Sequence, residues 1–187
     1  MLLCQEVQYV VYLEMSLPFS VVTLSAEPET ITALADLLIE TVANRGSIGF
    51  MHPVSPAKAV AFWGAALAAA ERGQRVVLGA FEERVLVGTV SLLLDCPENQ
   101  PHRGEIAKMM TALRYRGQGV ATALLAAAER IAVDRGRTLL TLDTAEQEGA
   151  AGLYEKMGYQ RTGLIPDFAL MPYGGLTGTI VYWKRIA

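Results

Sequence analysis

The sequence predicts an α/β domain of the α+β kind, with helices packed on a single mixed sheet. β-type runs alternate with helical patterns along the chain, and neither an internal repeat nor a flexible linker interrupts them. Of the 187 residues, 52% are hydrophobic and 19% are charged, so the chain is long and apolar enough to bury a substantial core. We therefore expect one domain over residues 1–187, with residues 1–16 as an N-terminal extension or an edge strand.

The first half of the chain predicts two helices and a hairpin. A β-type run at Phe19–Leu24 precedes a helix that Pro28 opens, in which apolar residues recur every three or four positions. Pro56 opens a second helix, which ends at Gly73 and carries Trp63 on its apolar stripe. The strands of the hairpin are expected at Val76–Phe81 and Arg84–Leu94.

The second half predicts three more strands and two more helices. A polar loop at Asp95–Gly104 precedes a strand that begins at Glu105, and Thr138–Asp143 is the next strand. Alternation along the Glu105 strand puts four side chains on one face, namely those of Glu105, Ala107, Met109 and Thr111. The final elements are a helix carrying Tyr154, a strand at Tyr159–Gly163, a loop at Pro166–Gly178 and a strand at Thr179–Ile186.

The most distinctive segment is the glycine turn Arg116–Ala121, between a predicted strand and a predicted helix. This order aims free backbone N–H groups at one point, where the helix dipole adds partial positive charge, and such a point binds phosphate. The dinucleotide-binding fingerprint fails because Thr122 stands where Gly or Ala is needed, and the Lys-Ser/Thr pair of a Walker A loop is missing. The segment fits Arg/Gln-x-x-Gly-x-Gly/Ala, although such glycines could merely allow a tight turn.

The glycine turn resembles the acyl-CoA pyrophosphate loop of the GNAT N-acetyltransferase superfamily. The run Gly152–Tyr159 resembles the second signature of that superfamily, a helix that carries a Tyr and ends in a Gly-aromatic pair. The resemblance implies an acetyltransferase that uses acetyl-CoA, on a mixed sheet of about six to seven strands with about four helices. It assigns acetyl-CoA binding to Met109, Met110, Thr111, Arg116, Gly117, Gln118, Gly119, Val120, Ala121 and Thr122.

Transfer of an acetyl group to an amine needs a base, because an amine with a pKa near that of lysine is mostly protonated at neutral pH. The resemblance makes Glu105 the first candidate base and Asp143 the second, although Glu105 could be a strand-edge charge and Asp143 a helix N-cap. Tyr154 matches the general acid that protonates the leaving thiolate, and could also be a core aromatic residue. A backbone N–H of Met109 or Met110 would stabilise the oxyanion.

Within the superfamily, the chain looks most similar to the tabtoxin resistance acetyltransferases. The segments that carry this similarity include Glu40-Thr41-Val42, Gly49-Phe50-Met51, Arg103-Gly104-Glu105, Lys108-Met109-Met110, Leu142-Asp143-Thr144 and Pro172-Tyr173-Gly174. They imply that the acetyl group passes to a primary amine of a small, amino-acid-like toxin or metabolite. The expected acceptor pocket contains Glu40, Asn44, Phe50, Trp63, Asp167 and Tyr173, of which Trp63 also fits the core.

Two other functions are compatible with the sequence. A protein or peptide N-acetyltransferase would share the fold but needs an open groove, whereas the predicted loop Pro166–Gly178 is long enough to narrow the cleft. A non-catalytic acyl-CoA-binding module would bind the cofactor without turnover, although Glu105 and Tyr154 argue for catalysis.

Charge and cysteine content limit the expected partners. The net charge of −3 leaves no general basic face, so we expect no nucleic-acid partner. The longest apolar runs are too short to cross a bilayer, so we expect no membrane association. Cys4 and Cys96 show neither metal-ligand spacing nor a disulfide framework, which indicates no metal site and a reducing, cytoplasmic location. A homodimer is the commonest assembly for such a domain.

Overall fold

The computed structural model describes residues 19–146 and 151–186, which form four α-helices and a seven-stranded sheet. The strands are β1 (Ser20–Thr23), β2 (Arg75–Glu82), β3 (Val85–Leu93), β4 (Arg103–Thr111), β5 (Leu139–Ala145), β6 (Gln160–Leu170) and β7 (Leu176–Arg185). The helices are α1 (Pro28–Ala43), α2 (Pro56–Glu71), α3 (Val120–Asp134) and α4 (Ala151–Lys156), with a 3₁₀ turn at Leu113–Tyr115. The segment 1–16, expected as an extension or edge strand, lies outside the described residues.

The sheet is mixed, as the sequence predicts. Its strands follow the order β1-β2-β3-β4-β5-β7-β6, and among them only β4 and β5 pair in parallel. The α3 crossover joins these two strands, which is the connection that parallel pairing requires. Among the described helices, none is long and apolar enough to cross a membrane.

Local signals in the sequence position the helix ends. Pro28 and Pro56 occupy the first turns of α1 and α2, where proline costs no backbone hydrogen bond. The Ser55 side chain accepts a hydrogen bond from the Lys58 N–H at 3.3 Å and so caps α2. Gly119 precedes α3 in a left-handed conformation, with φ 87°. The predicted glycine turn therefore does lead directly into a helix.

Each face of the sheet has its own hydrophobic core. α3 packs on one face through residues such as Leu124, and α1 and α2 cover the other face through Leu38 and Trp63. The β2 neighbours Val77 and Leu78 belong to different cores, because side chains alternate along a strand. Trp63 has no exposed surface, so it is a core residue rather than a wall of the acceptor pocket.

Strands β4 and β5 separate soon after they begin to pair. Their pairing covers only Arg103–Glu105 against Leu139–Thr141. Further along β4, Thr89 of β3 pairs with Met110 while Ser91 pairs with Ala107, so β4 carries one extra residue there. Lys108 lies in this bulge with φ 53°, a conformation that side-chain-bearing residues rarely adopt. The separation opens a cleft between the two parallel strands.

The prediction of a loop at Pro166–Gly178 is wrong. β6 extends to Leu170 and β7 begins at Leu176, so most of this segment is a β-hairpin with a short turn. Pro166 and Asp167, which suggested a loop, lie instead in an irregularity of the pairing between Ile165 and Ala169. An edge strand tolerates proline at such a bulge because no neighbour needs its missing N–H. The strand before the glycine turn likewise begins at Arg103, two residues before Glu105.

Candidate active site

A cleft of about 270 Å³ lies where β4 and β5 separate. Its floor comes from the β4 bulge and the end of β5, and α4 contributes Tyr154. The segment 47–49 after α1 and the β6–β7 hairpin form the other walls. Its lining residues include Ile48, Lys108, Asp143, Tyr154, Phe168 and Leu170.

Asp143 lines the cleft from β5. It lies in the interior of the strand rather than at a helix N-cap, with Thr144 and Ala145 still to follow. One of its carboxylate oxygens, Oδ2, accepts a hydrogen bond from the Thr179 hydroxyl on β7 at 3.0 Å. This bond orients the carboxylate through Oδ2. The other carboxylate oxygen, Oδ1, takes no part in the bond, so Asp143 is held in a position to accept a proton.

Glu105 lies on the same sheet face but outside the lining of the cleft. Its Oε2 forms an ion pair with Arg103 Nη1 at 3.1 Å, and the same nitrogen donates to Thr141 Oγ1 at 2.9 Å. Glu105 pairs in register with Thr141, two residues before Asp143. The structure thus brings the two predicted carboxylates to one face, with Asp143 in the cleft and Glu105 beside it.

Tyr154 lines the cleft from α4 and is 5% exposed. Its ring packs against Tyr159 and Tyr182, with centroid distances of 6.0 and 5.8 Å. Burial, together with the nearby Glu129 charge, raises the pKa of Tyr159 far above its ordinary range. Tyr154 is therefore both a packed aromatic residue and a wall of the cleft, so the two sequence interpretations of this residue are compatible.

The glycine turn offers backbone donors next to open space. Gly117 and Gly119 have φ 76° and 87°, and no heavy atom lies within 4 Å of where a Cβ would stand on either residue. The first hydrogen bond into α3 runs from the Ala123 N–H to the Gly119 oxygen, so the N–H groups of Val120, Ala121 and Thr122 precede it. The side chains of the turn lie nearby: Arg116 Nε is 3.5 Å from the Thr111 oxygen and Gln118 donates to the Arg114 oxygen. This geometry can bind a phosphate.

The segment Met109–Thr111 joins the cleft to the glycine turn. Met109 lines the cleft, whereas the Met110 side chain is buried in the core. Because β5 pairs with β4 only as far as Glu105, the β5-facing edge of this segment has no neighbouring strand among the described residues. An extended chain with amide groups could pair with that edge as an added strand.

Two of the predicted acceptor residues lie where the early loop meets the hairpin turn. The Tyr173 hydroxyl donates to the Ala43 oxygen at 2.9 Å, and its ring stacks on His52 at a centroid distance of 4.3 Å. The His52 N–H donates to the Pro172 oxygen at 2.8 Å. Phe50 packs edge to face on Phe62 at 5.1 Å, directly after Gly49 of the cleft wall. Tyr173 and Phe50 thus lie beside the cleft without lining it.

Two further predicted acceptor residues, Glu40 and Asp167, lie outside the lining of the cleft. Glu40 Oε1 accepts a hydrogen bond from the Leu113 N–H at 3.0 Å and so connects α1 to the 3₁₀ turn that precedes the glycine turn. Asp167 is exposed in the β6 irregularity with φ 52°, and its neighbour Phe168, rather than Asp167 itself, lines the cleft. The structure does not bring Glu40 and Asp167 together with Asp143.

Lys108 is a cleft residue that the sequence reasoning missed. Its Nζ lies 6.0 Å from the Phe62 ring centroid and 3.6 Å from where a Cβ on Gly49 would stand. Burial lowers the pKa of Lys108, while the Asp143 charge opposes this shift. The simple alternation expected along β4 fails here, because the bulge sends consecutive residues toward the cleft. Phe168 and Leu170 were missed because their segment was expected to be a loop.

Comparison with known proteins identifies the family that has this architecture. The model described as the Acetyltransferase (GNAT) family matches residues 39–159, which include the glycine turn and Tyr154. Human N-acetyltransferase 8B is 36% identical over 86 residues, covering 45% of this chain and 38% of that protein. N-alpha-acetyltransferase 30 of Schizosaccharomyces pombe is 32% identical over 83 residues, covering 44% of this chain and 55% of that protein. The chain therefore spans about half or less of the length of these curated relatives.

A solved structure shows the same fold over nearly the whole chain. The Salmonella typhimurium protein yncA, determined with its cofactor acetyl-CoA, aligns with a TM-score of 0.75 at 16% identity. The alignment covers 91% of this chain and 95% of that chain. Together with the family match, it confirms the fold class and the superfamily that the two sequence signatures predict. The chain belongs to the Acetyltransferase (GNAT) family.

Proposed function

We propose that this chain transfers the acetyl group of acetyl-CoA to a primary amine of a small molecule, by direct attack of the amine on the thioester. The observation that carries the proposal is the meeting of Asp143, Tyr154 and the β4 bulge in one cleft. This cleft lies on the strand that leads into the glycine turn. Base, acid and cofactor-binding backbone are thus available to one reacting centre.

Acetyl-CoA would bind along β4 and the start of α3. Its pyrophosphate would accept hydrogen bonds from the N–H groups of Gly117–Thr122, and the Arg116 guanidinium adds positive charge there. Its pantetheine arm would pair with the free edge of Met109–Thr111. This arrangement points the thioester at the β4 bulge, where an N–H of Met109 or Met110 would stabilise the oxyanion.

Asp143 would accept the proton of the attacking amine. The amine nitrogen forms a C–N bond to the thioester carbonyl carbon, the C–S bond then breaks, and CoA leaves as its thiolate. Glu105 is the second carboxylate on the same face of the sheet. Because it forms an ion pair with Arg103, it would accept the proton through a water molecule rather than directly. Tyr154 would protonate the thiolate, since its hydroxyl belongs to a residue that lines the cleft.

The acceptor would be a small amino-acid-like toxin or metabolite, as the similarity to the tabtoxin resistance acetyltransferases suggests. Support comes from one side of the cleft, where the turn of the β6–β7 hairpin hydrogen-bonds to the loop after α1 and limits the opening of the cleft. We call this side, which carries Tyr173 and His52, the acceptor end. Phe50 and Tyr173 would hold this wall. Peptide N-termini are the second candidate acceptor, favoured by the relative named N-alpha-acetyltransferase 30.

The test is release of CoA thiol from acetyl-CoA across a panel of amines, comprising amino acids, dipeptide analogues, polyamines, aminoglycosides and short peptides. We expect release with one class of small amine, and loss of that release in Asp143→Asn. Calorimetric titration of acetyl-CoA in the same samples provides the control, because this variant should still bind the cofactor.

Other outcomes would redirect the proposal. Release with peptides alone would establish the second candidate function. Acetyl-CoA binding without release on the whole panel would instead indicate an acyl-CoA-binding module, and a protein that binds no acetyl-CoA would contradict the proposal entirely.

A further inference from the structure

Lys108 is a cation that the proposed acetyl transfer does not use. Its side chain is half-buried in the cleft, yet it forms neither an ion pair nor a hydrogen bond with any of the described residues. The left-handed backbone at the β4 bulge sends it there, and such a backbone is costly for a residue with a side chain. Both the backbone and the ammonium group are therefore held in an unfavourable state.

The neighbouring carboxylates are already engaged. Glu105 pairs with Arg103 at 3.1 Å, and Asp143 accepts the Thr179 hydroxyl at 3.0 Å. Asp143 is near enough to affect the Lys108 charge, but their side chains do not come within the 4.0 Å of an ion pair. Apart from the Phe62 ring at 6.0 Å, no ion-pair or hydrogen-bond partner among the described residues replaces the hydration that this half-buried ammonium loses, so an anionic ligand would gain from contact with it.

Part of the remaining wall of the cleft is apolar. Phe168 and Leu170 of the hairpin are 56% and 52% exposed, and Ile48 lies on the early loop. An apolar group of a ligand that covered these side chains would remove them from water. The cleft therefore offers a carboxylate for an amine, an ammonium for an anion and an apolar wall.

We infer that Lys108 binds the carboxylate of the acceptor, so that the site selects amino acids with an apolar side chain. This inference rests on the proposed function, because the acceptor amine is taken to lie at Asp143. An α-amino acid carries its amine and its carboxylate on one carbon, which suits two opposite charges that face a single small cleft. Polyamines would be repelled by Lys108, and peptide N-termini lack the adjacent carboxylate.

The test compares L-phenylalanine with L-phenylalaninamide, which differ only in the carboxylate. We expect wild type to show a higher kcat/KM for the acid, and Lys108→Met to lower the acid-to-amide ratio by about tenfold or more, through the KM of the acid. Lys108→Arg should retain most of the preference because it keeps the charge. Lys58→Met is the matched control, since Lys58 is an exposed lysine over the Phe50 ring, and its ratio should equal that of wild type.

The outcomes separate this inference from the function on which it rests. Equal use of acid and amide by wild type, or an unchanged ratio in Lys108→Met, would overturn the role of Lys108 and leave acetyl transfer intact. Acetylation of peptides or polyamines but neither probe would overturn the substrate class as well. If no acceptor is acetylated, both the proposed function and this inference are contradicted. Acetyl-CoA affinity and the thermal midpoint of each variant show that it is folded.

Discussion

The acceptor end and the segment proposed to bind acetyl-CoA, which we call the cofactor end, are built in different ways. The cofactor end is one contiguous segment, in which the last residues of β4, the glycine turn and the first turn of α3 follow each other in the chain. The acceptor end is assembled from residues more than a hundred positions apart, through the contacts of Tyr173 with Ala43 and of Pro172 with His52. One end depends on local backbone conformation, and the other on tertiary contacts.

This difference has a consequence for function. A phosphate-binding turn needs only backbone N–H groups in a fixed geometry, which a few glycines can specify locally. An acceptor pocket needs side chains that converge from several elements, and these can change without altering the fold. We therefore expect the cofactor to be shared with the family, and the acceptor to depend on residues such as Lys108 and Phe168.

The largest effect is expected at Tyr154, where the two ends meet. Tyr154→Phe keeps the ring that packs on Tyr159 and Tyr182 but removes the hydroxyl, which is the proposed proton donor to the thiolate. We expect kcat to fall about a hundredfold or more, with the affinity for acetyl-CoA nearly unchanged. Steady-state kinetics and calorimetry measure the two quantities.

Tyr159→Phe is the matched control for that experiment. It also removes a buried tyrosine hydroxyl, but Tyr159 does not line the cleft. Its turnover should stay close to that of wild type. Unchanged turnover in Tyr154→Phe would exclude Tyr154 from the mechanism, and equal losses in both variants would assign the effect to packing.

An intermediate effect is expected at the cofactor end. Gly119→Ala forces a Cβ into a left-handed conformation, which costs about 1–2 kcal/mol and turns the backbone donors of the glycine turn away from their common point. We expect the Kd of acetyl-CoA to rise about tenfold. Isothermal titration of acetyl-CoA measures this change.

Gly136→Ala separates lost binding from backbone strain. Gly136, after α3, also has a positive φ, 71°, and open space around it, but it lies at the opposite end of the helix from the glycine turn. Both variants should lose similar thermal stability, while only Gly119→Ala loses cofactor affinity. Intact affinity in Gly119→Ala would refute the assignment of a phosphate-binding turn.

The smallest effect is expected at the acceptor end. Tyr173→Phe removes the hydrogen bond to the Ala43 oxygen but keeps the stacking on His52, so the hairpin turn is held less firmly. The loss of about 1 kcal/mol should raise the acceptor KM about fivefold, with kcat and acetyl-CoA affinity unchanged. Kinetics with the acceptor identified by the thiol-release panel measure this. A change in acetyl-CoA affinity instead would show that the two ends are coupled.

Much of the fold could be predicted because its signals are local. Pro28 and Pro56 mark helix starts, and Gly119 marks the start of α3, through conformations that depend on a few neighbouring residues. The β6–β7 hairpin was missed because Pro166 and Asp167 also act locally and suggest a loop. Only the position of β6 at the sheet edge, next to β7, lets the strand tolerate them.

The candidate site likewise has features that the local sequence predicts and features that depend on tertiary structure. The residues Asp143 and Tyr154 could be proposed from their motifs, but their meeting in one cleft follows from where β4 separates from β5. Glu40 is engaged by the backbone N–H of Leu113, which is far from it in the chain. Arg103, which pairs with Glu105 on the same strand, also donates a hydrogen bond to Thr141 of the neighbouring strand β5. A one-residue bulge in β4 likewise breaks the alternation that would otherwise predict which side chains face the cleft.

By itself, the sequence determined the order of strands and helices, the glycine turn and the acetyltransferase family, because each depends on short-range backbone preference or on a contiguous motif. Only the tertiary structure decided which charges face the cleft, that Lys108 is among them, and that a hairpin rather than a loop forms one of its walls. The physical reason is that strand register and bulges move side chains from one face of a sheet to the other, and non-local pairing sets both.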